Sequence, residues 1–115
     1  MNENWIFYAV VVGIFVAFTV FKRLGQIGGE RAHALVQSGA KLVDVRTPSE
    51  FQAGHIPGAV NVPLQELGSR AGSLGEKTRP VVLYCASGAR SAMARSRLKG
   101  LGFTQVFNLG AMSRW

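Results

Sequence analysis

The chain has a single cysteine, Cys85, which follows the apolar run of residues 81–84 and precedes a loop of small residues. The apolar run predicts a buried strand, so Cys85 is expected where a strand ends. In an open parallel sheet, ligands bind beyond the carboxyl ends of the strands. Backbone N–H groups of a small-residue loop there can point at an anion and support a reactive thiolate. Cys85 is therefore the candidate nucleophile, although most isolated cysteines are small buried hydrophobic residues.

Arg90 follows Cys85 after four intervening residues and adds a fixed positive charge. Such a loop has three possible uses: to stabilise a nucleophilic thiolate, to hold a persulfide, or to bind a phosphate-like oxyanion during covalent phosphoryl transfer. Cysteine-dependent phosphatases have one more residue between cysteine and arginine, so the shorter spacing favours a single extra sulfur. The predicted substrate-binding loop consists of Ala86, Ser87, Gly88, Ala89, Arg90 and Ser91. Ser91 is also expected to cap the next helix.

Three further charged residues are expected to support this loop. Asp44 and Arg46 end an earlier predicted strand at the same sheet edge, and we expect them to pair with each other or with neighbours, because charges there need partners. Glu50 is expected both to complete a capping box with Thr47 and to pair with Arg90. A structural role is favoured over a catalytic one for Asp44 and Arg46.

The two histidines give little support for further chemistry. His55 is interpreted as part of a turn, with its imidazole bonded to the backbone, and His33 has no partner histidine nearby in the sequence. A metal site therefore has little support.

The elements that must position these residues alternate between helix and strand from residue 30 onwards. Strands separated by helices imply right-handed crossovers, and hence a small α/β domain with a parallel sheet and helices on both faces. In the last helix, Ala94, Leu98 and Leu101 are expected to face the core. We predict helices over 30–38, 47–53, 63–70 and 91–101, strands over 41–45, 60–62, 79–84 and 103–107, and a polar loop over 72–78.

An apolar segment precedes this domain. Residues 5–21 are a run of 17 residues without a charge, against roughly 20 needed to cross a bilayer as a helix. The run is apolar on every face, which argues against a core helix of the soluble domain. A cleaved signal peptide is disfavoured because the positive charges, Lys22 and Arg23, follow the run. By the positive-inside rule these charges are cytoplasmic.

The predicted organisation is therefore a single-pass membrane protein. We expect residues 1–4 outside the cytoplasm, 5–21 as a transmembrane helix, 22–29 as a flexible juxtamembrane hinge with Gly25, Gly28 and Gly29, and 30–115 as the cytoplasmic domain. A bacterial inner membrane is the expected location. The single cysteine allows no intramolecular disulfide, which agrees with a reducing compartment.

The formal net charge of +7 does not indicate nucleic-acid binding. Lysines and arginines are spread along the chain, and their one modest concentration, over residues 90–99, has no interleaved aromatic residues. A basic surface that faces an anionic membrane or an anionic small substrate accounts for the same charge more simply.

From about residue 27 to the end, the sequence resembles a single-domain rhodanese, a sulfurtransferase. The resemblance rests on ordered pieces: Leu-Val-Asp-Val-Arg at 42–46, Glu50-Phe51, Gly-His-Ile-Pro-Gly-Ala at 54–59 with Asn61 and Pro63, the loop 85–91, and Leu-Gly-Ala-Met-Ser-Arg-Trp at 109–115.

The resemblance implies that Cys85 accepts a sulfane sulfur from thiosulfate or a low-molecular-weight persulfide and passes it to a thiol, cyanide or a protein acceptor. It implies no cofactor and no metal. One departure is Ala86, where many relatives have an arginine, so that the loop has one cation fewer. Two alternatives stay open: a membrane-tethered binding or scaffold module of the same fold, and, with less support, a phosphatase-like or arsenate reductase-like enzyme.

Overall fold

The computed structural model describes residues 3–115, which form one long N-terminal helix and an α/β domain. Short 3₁₀ turns over Leu64–Glu66, Ala71–Leu74 and Met112–Arg114 complete the chain. The helices and strands, in chain order, are α1 (Asn4–Arg23), α2 (Gly29–Gln37), β1 (Lys41–Asp44), α3 (Pro48–Ala53), β2 (Val60–Asn61), α4 (Leu67–Arg70), β3 (Val81–Cys85), α5 (Ala89–Gly100) and β4 (Val106–Ala111).

The domain is built on a four-stranded parallel sheet in the order β2-β1-β3-β4. Side chains of the central strand β3 alternate between two cores, as the twofold period of a strand requires. Val81, Leu83 and Cys85 pack in the core that α4 and α5 cover, whereas Val82 and Tyr84 pack in the core that α2 covers. The predicted α/β class, with helices on both faces of a parallel sheet, is confirmed.

Helix α3 begins with the predicted capping box. The Thr47 hydroxyl accepts a hydrogen bond from the Glu50 backbone N–H at 3.2 Å, and the Glu50 carboxylate accepts one from the Thr47 N–H at 3.1 Å. Pro48 occupies the first turn, where its missing N–H has no cost. These local signals fix the start of the helix that carries Glu50 to the site.

The end of α5 corrects two predictions. The N–H of Phe103 donates to the carbonyl of Leu98, and that of Gly102 to the carbonyl of Lys99, both at 3.1 Å, which is a Schellman motif. Phe103 is therefore the buried residue that closes this motif and not the start of a strand. Strand β4 runs over Val106–Ala111, so it begins three residues later and ends four residues later than predicted. Leu101, predicted to face the core, is the exposed C-cap of the helix.

Other boundaries also differ from prediction. The helix predicted over 63–70 is a 3₁₀ turn over Leu64–Glu66 followed by the short α4. Part of the expected polar loop over 72–78 is the 3₁₀ turn Ala71–Leu74, in which Leu74 is fully buried in the core beneath α5. Helix α5 begins at Ala89 rather than at residue 91, so that Arg90 and Ser91 lie in its first turn.

The segment 22–29, expected to be a flexible hinge, is held on the free edge of β4. The N–H of Asn108 donates to the Gly25 carbonyl, and the N–H of Ile27 donates to the Asn108 carbonyl, both at 2.9 Å. The Asn108 side-chain amide donates to the Lys22 carbonyl at 3.1 Å. An unpaired strand edge offers hydrogen-bonding groups that another segment can satisfy. The glycines here therefore shape a docked connection and do not mark a free hinge.

Helix α1 spans 20 residues, none of which is buried. It is thus not a core helix. By length and composition it is a candidate membrane span, a test that a signal sequence near the N-terminus passes as well. The predicted span of residues 5–21 lies within it, and the predicted outer segment includes residues 1 and 2, which are outside the described part of the chain.

Candidate active site

Cys85 is the last residue of β3, and its side chain is fully buried. Its Sγ accepts hydrogen bonds from the backbone N–H of Gly88 at 3.0 Å and from that of Ser91 at 3.4 Å. Gly88 is the N-cap of α5, with φ of 101°, a conformation that side chains disfavour. This left-handed turn folds the chain back over the sulfur. The loop therefore directs N–H groups and a helix N-terminus at Sγ, where they stabilise negative charge.

Ser91 is fully buried inside the first turn of α5. Its hydroxyl donates to the Gly88 carbonyl at 3.1 Å and accepts a hydrogen bond from the Cys85 thiol at 3.4 Å. The prediction that Ser91 caps the helix is wrong, because the left-handed Gly88 already occupies the N-cap. Ser91 instead holds the loop closed and contacts the sulfur directly.

Arg90 points from the loop to Glu50 and forms a two-pronged ion pair with it, with nitrogen–oxygen distances of 2.6 and 3.0 Å. The Arg90 hydrogen bonds, followed by that of the Thr47 N–H, lower the pKa of Glu50 to about 2. The same pair raises the pKa of Arg90. Both roles expected of Glu50, helix capping and pairing with Arg90, are confirmed. The pair ties α3 to the first turn of α5 and so braces the loop from outside.

Asp44 and Arg46 form a second, buried ion pair at the end of β1. Arg46 Nη2 lies 2.7 Å from Asp44 Oδ2, and Arg46 Nε lies 3.0 Å from both carboxylate oxygens. Hydrogen bonding to Asp44 raises the pKa of Arg46. Arg46 also donates to the Gly54 carbonyl at 2.6 Å. The expected pairing is confirmed, and within residues 3–115 neither residue bonds to Cys85 Sγ, so that they brace the turn after α3.

Two residues brace the site in a way that the sequence did not predict. The Tyr84 hydroxyl, beside Cys85 in the strand, accepts the Ile56 N–H at 3.1 Å, and burial raises the pKa of Tyr84 to about 12. The Asn61 amide donates to the carbonyls of Asp44 and Arg46 at 3.0 and 2.9 Å. For Tyr84 the sequence does contain a signal, because a tyrosine inside an apolar strand has a buried hydroxyl that needs a hydrogen-bond partner.

The remaining predicted loop residues complete the outer face. Ala86 and Ser87 are exposed, and Ala89 is half-buried at the start of α5. His55 donates through Nδ1 to the Phe51 carbonyl at 2.8 Å, which confirms its role in the turn. Within residues 3–115 no three histidine, cysteine, aspartate or glutamate side chains are grouped so that they could hold a metal ion.

The sequence profile of the rhodanese-like domain matches residues 29–115. The chain belongs to the rhodanese family. Protein YqhL of Bacillus subtilis (strain 168) is 34% identical over 111 residues, which cover 96% of this chain and 87% of that relative. The thiosulfate sulfurtransferase GlpE of Pseudomonas syringae pv. syringae is 36% identical over 98 residues, covering 84% and 89%.

Solved structures confirm this rhodanese fold. A rhodanese of E. coli, solved with anions, superposes with a TM-score of 0.64 at 35% sequence identity, covering 67% of this chain and 92% of that one. The rhodanese domain described here thus has relatives that are sulfurtransferases, and sulfur compounds are the substrates that the family relationship indicates at a coarse level.

Proposed function

We propose that this chain is a membrane-anchored sulfurtransferase that carries a sulfane sulfur on Cys85 as a persulfide. The observation that carries the proposal is the convergence of the Gly88 and Ser91 N–H groups on Sγ at the end of β3. Fixed donors aimed at an atom whose charge changes during reaction lower the barrier, because they need no reorganisation. Here the charged atom is the Cys85 sulfur, first as nucleophile and later as leaving group.

In the first step the Cys85 thiol loses its proton to solvent and the thiolate attacks the outer sulfur of the donor. With thiosulfate, a new S–S bond forms on Cys85 while the S–S bond to sulfite breaks, and sulfite leaves with the electron pair. With a low-molecular-weight persulfide, the leaving group is the corresponding thiolate. The loop N–H groups then face the persulfide, whose outer sulfur is one bond beyond Sγ.

In the second step an acceptor attacks that outer sulfur. A small thiol, cyanide or a protein thiol takes the sulfur, the persulfide S–S bond breaks, and Cys85 leaves as the thiolate that the Gly88 and Ser91 N–H groups stabilise. The cycle balances without a cofactor or metal. Cys85 is the catalytic residue, residues 86–91 form the substrate-binding loop, and Glu50, Asp44 and Arg46 keep that loop in place.

The geometry of Arg90 supports sulfur transfer over phosphoryl transfer. Its guanidinium is engaged with Glu50 at 2.6 and 3.0 Å, so that fewer of its N–H groups are free for an oxyanion held on Cys85. The four-residue spacing from Cys85 points the same way. Arg90 is therefore proposed as a brace of the loop.

We also propose that α1 anchors the protein in a bacterial inner membrane. None of its residues is buried by the domain, and Lys22 and Arg23 follow the apolar run at its C-terminal end. This arrangement supports residues 1–4 outside and residues 30–115 in the cytoplasm. A reporter fused after Trp115 tests the orientation: activity in the cytoplasm is expected, and activity restricted to the outside would overturn it.

Mass spectrometry of the intact protein tests the transfer. After incubation with thiosulfate or a small persulfide, the wild type is expected to gain one sulfur atom and the Cys85→Ser variant none. Ser96→Ala, on the exposed face of α5, is the matched control and should gain sulfur as the wild type does. No gain with any donor would leave the scaffold alternative, and hydrolysis of an aryl phosphate that requires Cys85 would favour the phosphatase alternative.

A further inference from the structure

A cavity of about 550 Å³ lies between the C-terminal part of α1 and the Cys85 loop. The loop contributes Ser87 to its wall, and the sulfur itself is buried behind the loop. The rest of the wall joins apolar side chains of the helix to positive charges. The positive charges of the wall are those of Lys22, Arg23 and Arg114.

The docked segment after α1 sets Lys22 next to the loop. The Lys22 carbonyl accepts a hydrogen bond from the Asn108 side-chain amide at 3.1 Å. Gly25 and Ile27, which follow, are hydrogen-bonded to the Asn108 backbone at the edge of β4. Lys22 Cε lies 3.7 Å from the position that a Cβ on Gly88 would occupy. Because the Gly88 N–H donates to Cys85 Sγ at 3.0 Å, a single loop residue separates the lysine side chain from the sulfur site.

The three cations of the cavity are not neutralised. Among residues 3–115, neither Lys22 nor Arg23 nor Arg114 has a carboxylate oxygen within 4.0 Å, since the ion pairs there join other residues. Arg114 is fixed in place by donating to the carbonyls of Leu109 and Ile27, at 2.8 and 3.1 Å. Backbone carbonyls orient this guanidinium but leave its charge uncompensated. The cavity therefore attracts anions toward the loop that follows Cys85.

We propose that this cavity binds the oxyanion end of an anionic sulfur donor of the thiosulfate type, and that Lys22 of the anchor helix supplies a cation that binds it. The proposal deepens the proposed sulfur transfer at Cys85 and rests on it. The anchor is then part of the substrate site, and the bonds between segment 22–29 and β4 hold it there.

Direct binding tests the site apart from the chemistry. The full-length Cys85→Ser protein, which cannot form a persulfide, is titrated with thiosulfate in a non-ionic detergent by calorimetry. Adding Lys22→Gln is expected to weaken binding about tenfold, the effect of losing one charge-assisted contact. Lys22→Arg should restore it. Lys99→Gln, an equal loss of charge on an exposed face of α5, should change it less than about twofold.

Several results would overturn the proposal. They are an equal weakening by Lys22→Gln and Lys99→Gln, no effect of Lys22→Gln, or no thiosulfate binding with Lys22 present. Nanodiscs separate a donor from a lipid headgroup: if thiosulfate binds in phosphatidylcholine discs but not in phosphatidylglycerol discs, the cavity is a headgroup site and the proposal is wrong.

Turnover measurements on the Cys85 protein distinguish the two hypotheses. For Lys22→Gln the KM for thiosulfate should rise about tenfold, with kcat and the KM for an alkyl persulfide, which has no oxyanion group, unchanged. Equal rises for both donors would contradict an anion site. If the wild type transfers sulfur from no donor, the proposed function fails, and the calorimetric result still decides whether the cavity binds the anion.

Discussion

Gly88→Ala is the substitution that most sharply tests how the loop holds the sulfur. Gly88 has φ of 101°, whereas the atoms nearest to an added Cβ lie at 3.6 to 3.9 Å, which is ordinary contact. The cost is therefore backbone strain without a clash. A non-glycine residue in the left-handed region costs about 1–2 kcal/mol, so the free energy of unfolding should fall by that amount. Relaxation of the strain would also turn the Gly88 N–H away from Cys85 Sγ.

The assay combines urea unfolding of the full chain in non-ionic detergent with the rate of persulfide formation on Cys85. For Gly88→Ala the rate should fall at least about tenfold, because one fixed donor to the charged sulfur is displaced. Gly68→Ala is the matched control, since Gly68 lies in α4 with ordinary φ and open space around it. This control should be neutral or up to about 1 kcal/mol more stable. Equal stability and equal rates for the two variants would refute the strained-loop account.

Two further predictions concern the braces. Glu50→Gln should lower stability near neutral pH by about 0.5–1 kcal/mol, because the Arg90 pair is half-exposed and partly screened. Because folding lowers the pKa of Glu50 from 4.5 to about 2, its contribution to the free energy of unfolding is fully present above pH 4.5 and is lost as the pH falls through about 2. The stability of Glu50→Gln should therefore fall less than that of the wild type when unfolding is measured at decreasing pH. Identical pH profiles for the two proteins would contradict this. Asp44→Asn should lower the free energy of unfolding, measured in urea, by roughly 3 kcal/mol, because it leaves the buried Arg46 charge without its partner. A decrease as small as that of Glu50→Gln would show that the Asp44–Arg46 pair is not buried in solution.

Much of the domain can be predicted from the sequence because the patterns that determine its helices and strands are local. The Thr47–Glu50 capping box needs only four consecutive residues, and the alternation of β3 between its two cores follows from a strand that is buried on both faces. The pairing of Glu50 with Arg90 was also predicted, although it joins residues 40 positions apart.

The wrong predictions for individual residues share a physical cause. In each case a neighbouring turn or a distant strand determines the conformation, against the local preference of the residue. Phe103 has the side chain of a strand residue, yet Gly102 in a left-handed conformation makes it the closing residue of a Schellman motif. Ser91 is a good helix cap by type, but Gly88 takes that position.

The docked segment 22–29 shows the same limit at longer range. Glycines there indicate flexibility in isolation, and only the free edge of β4, far along the chain, supplies the hydrogen bonds that hold the segment. No local pattern signals that edge. The cavity beside the Cys85 loop depends on this docking, so the role proposed for Lys22 emerged only from the structure.

The most direct test of sulfur transfer follows a labelled sulfane sulfur through both half-reactions. The full-length protein is incubated in turn with thiosulfate and with a small persulfide, each labelled in the outer sulfur, and then with cyanide. We expect one label on the peptide that contains Cys85, sulfite released in equal amount when thiosulfate is the donor, and transfer of the label to thiocyanate. Absence of label from Cys85 with both donors, or label retained in the Cys85→Ser variant, would contradict it.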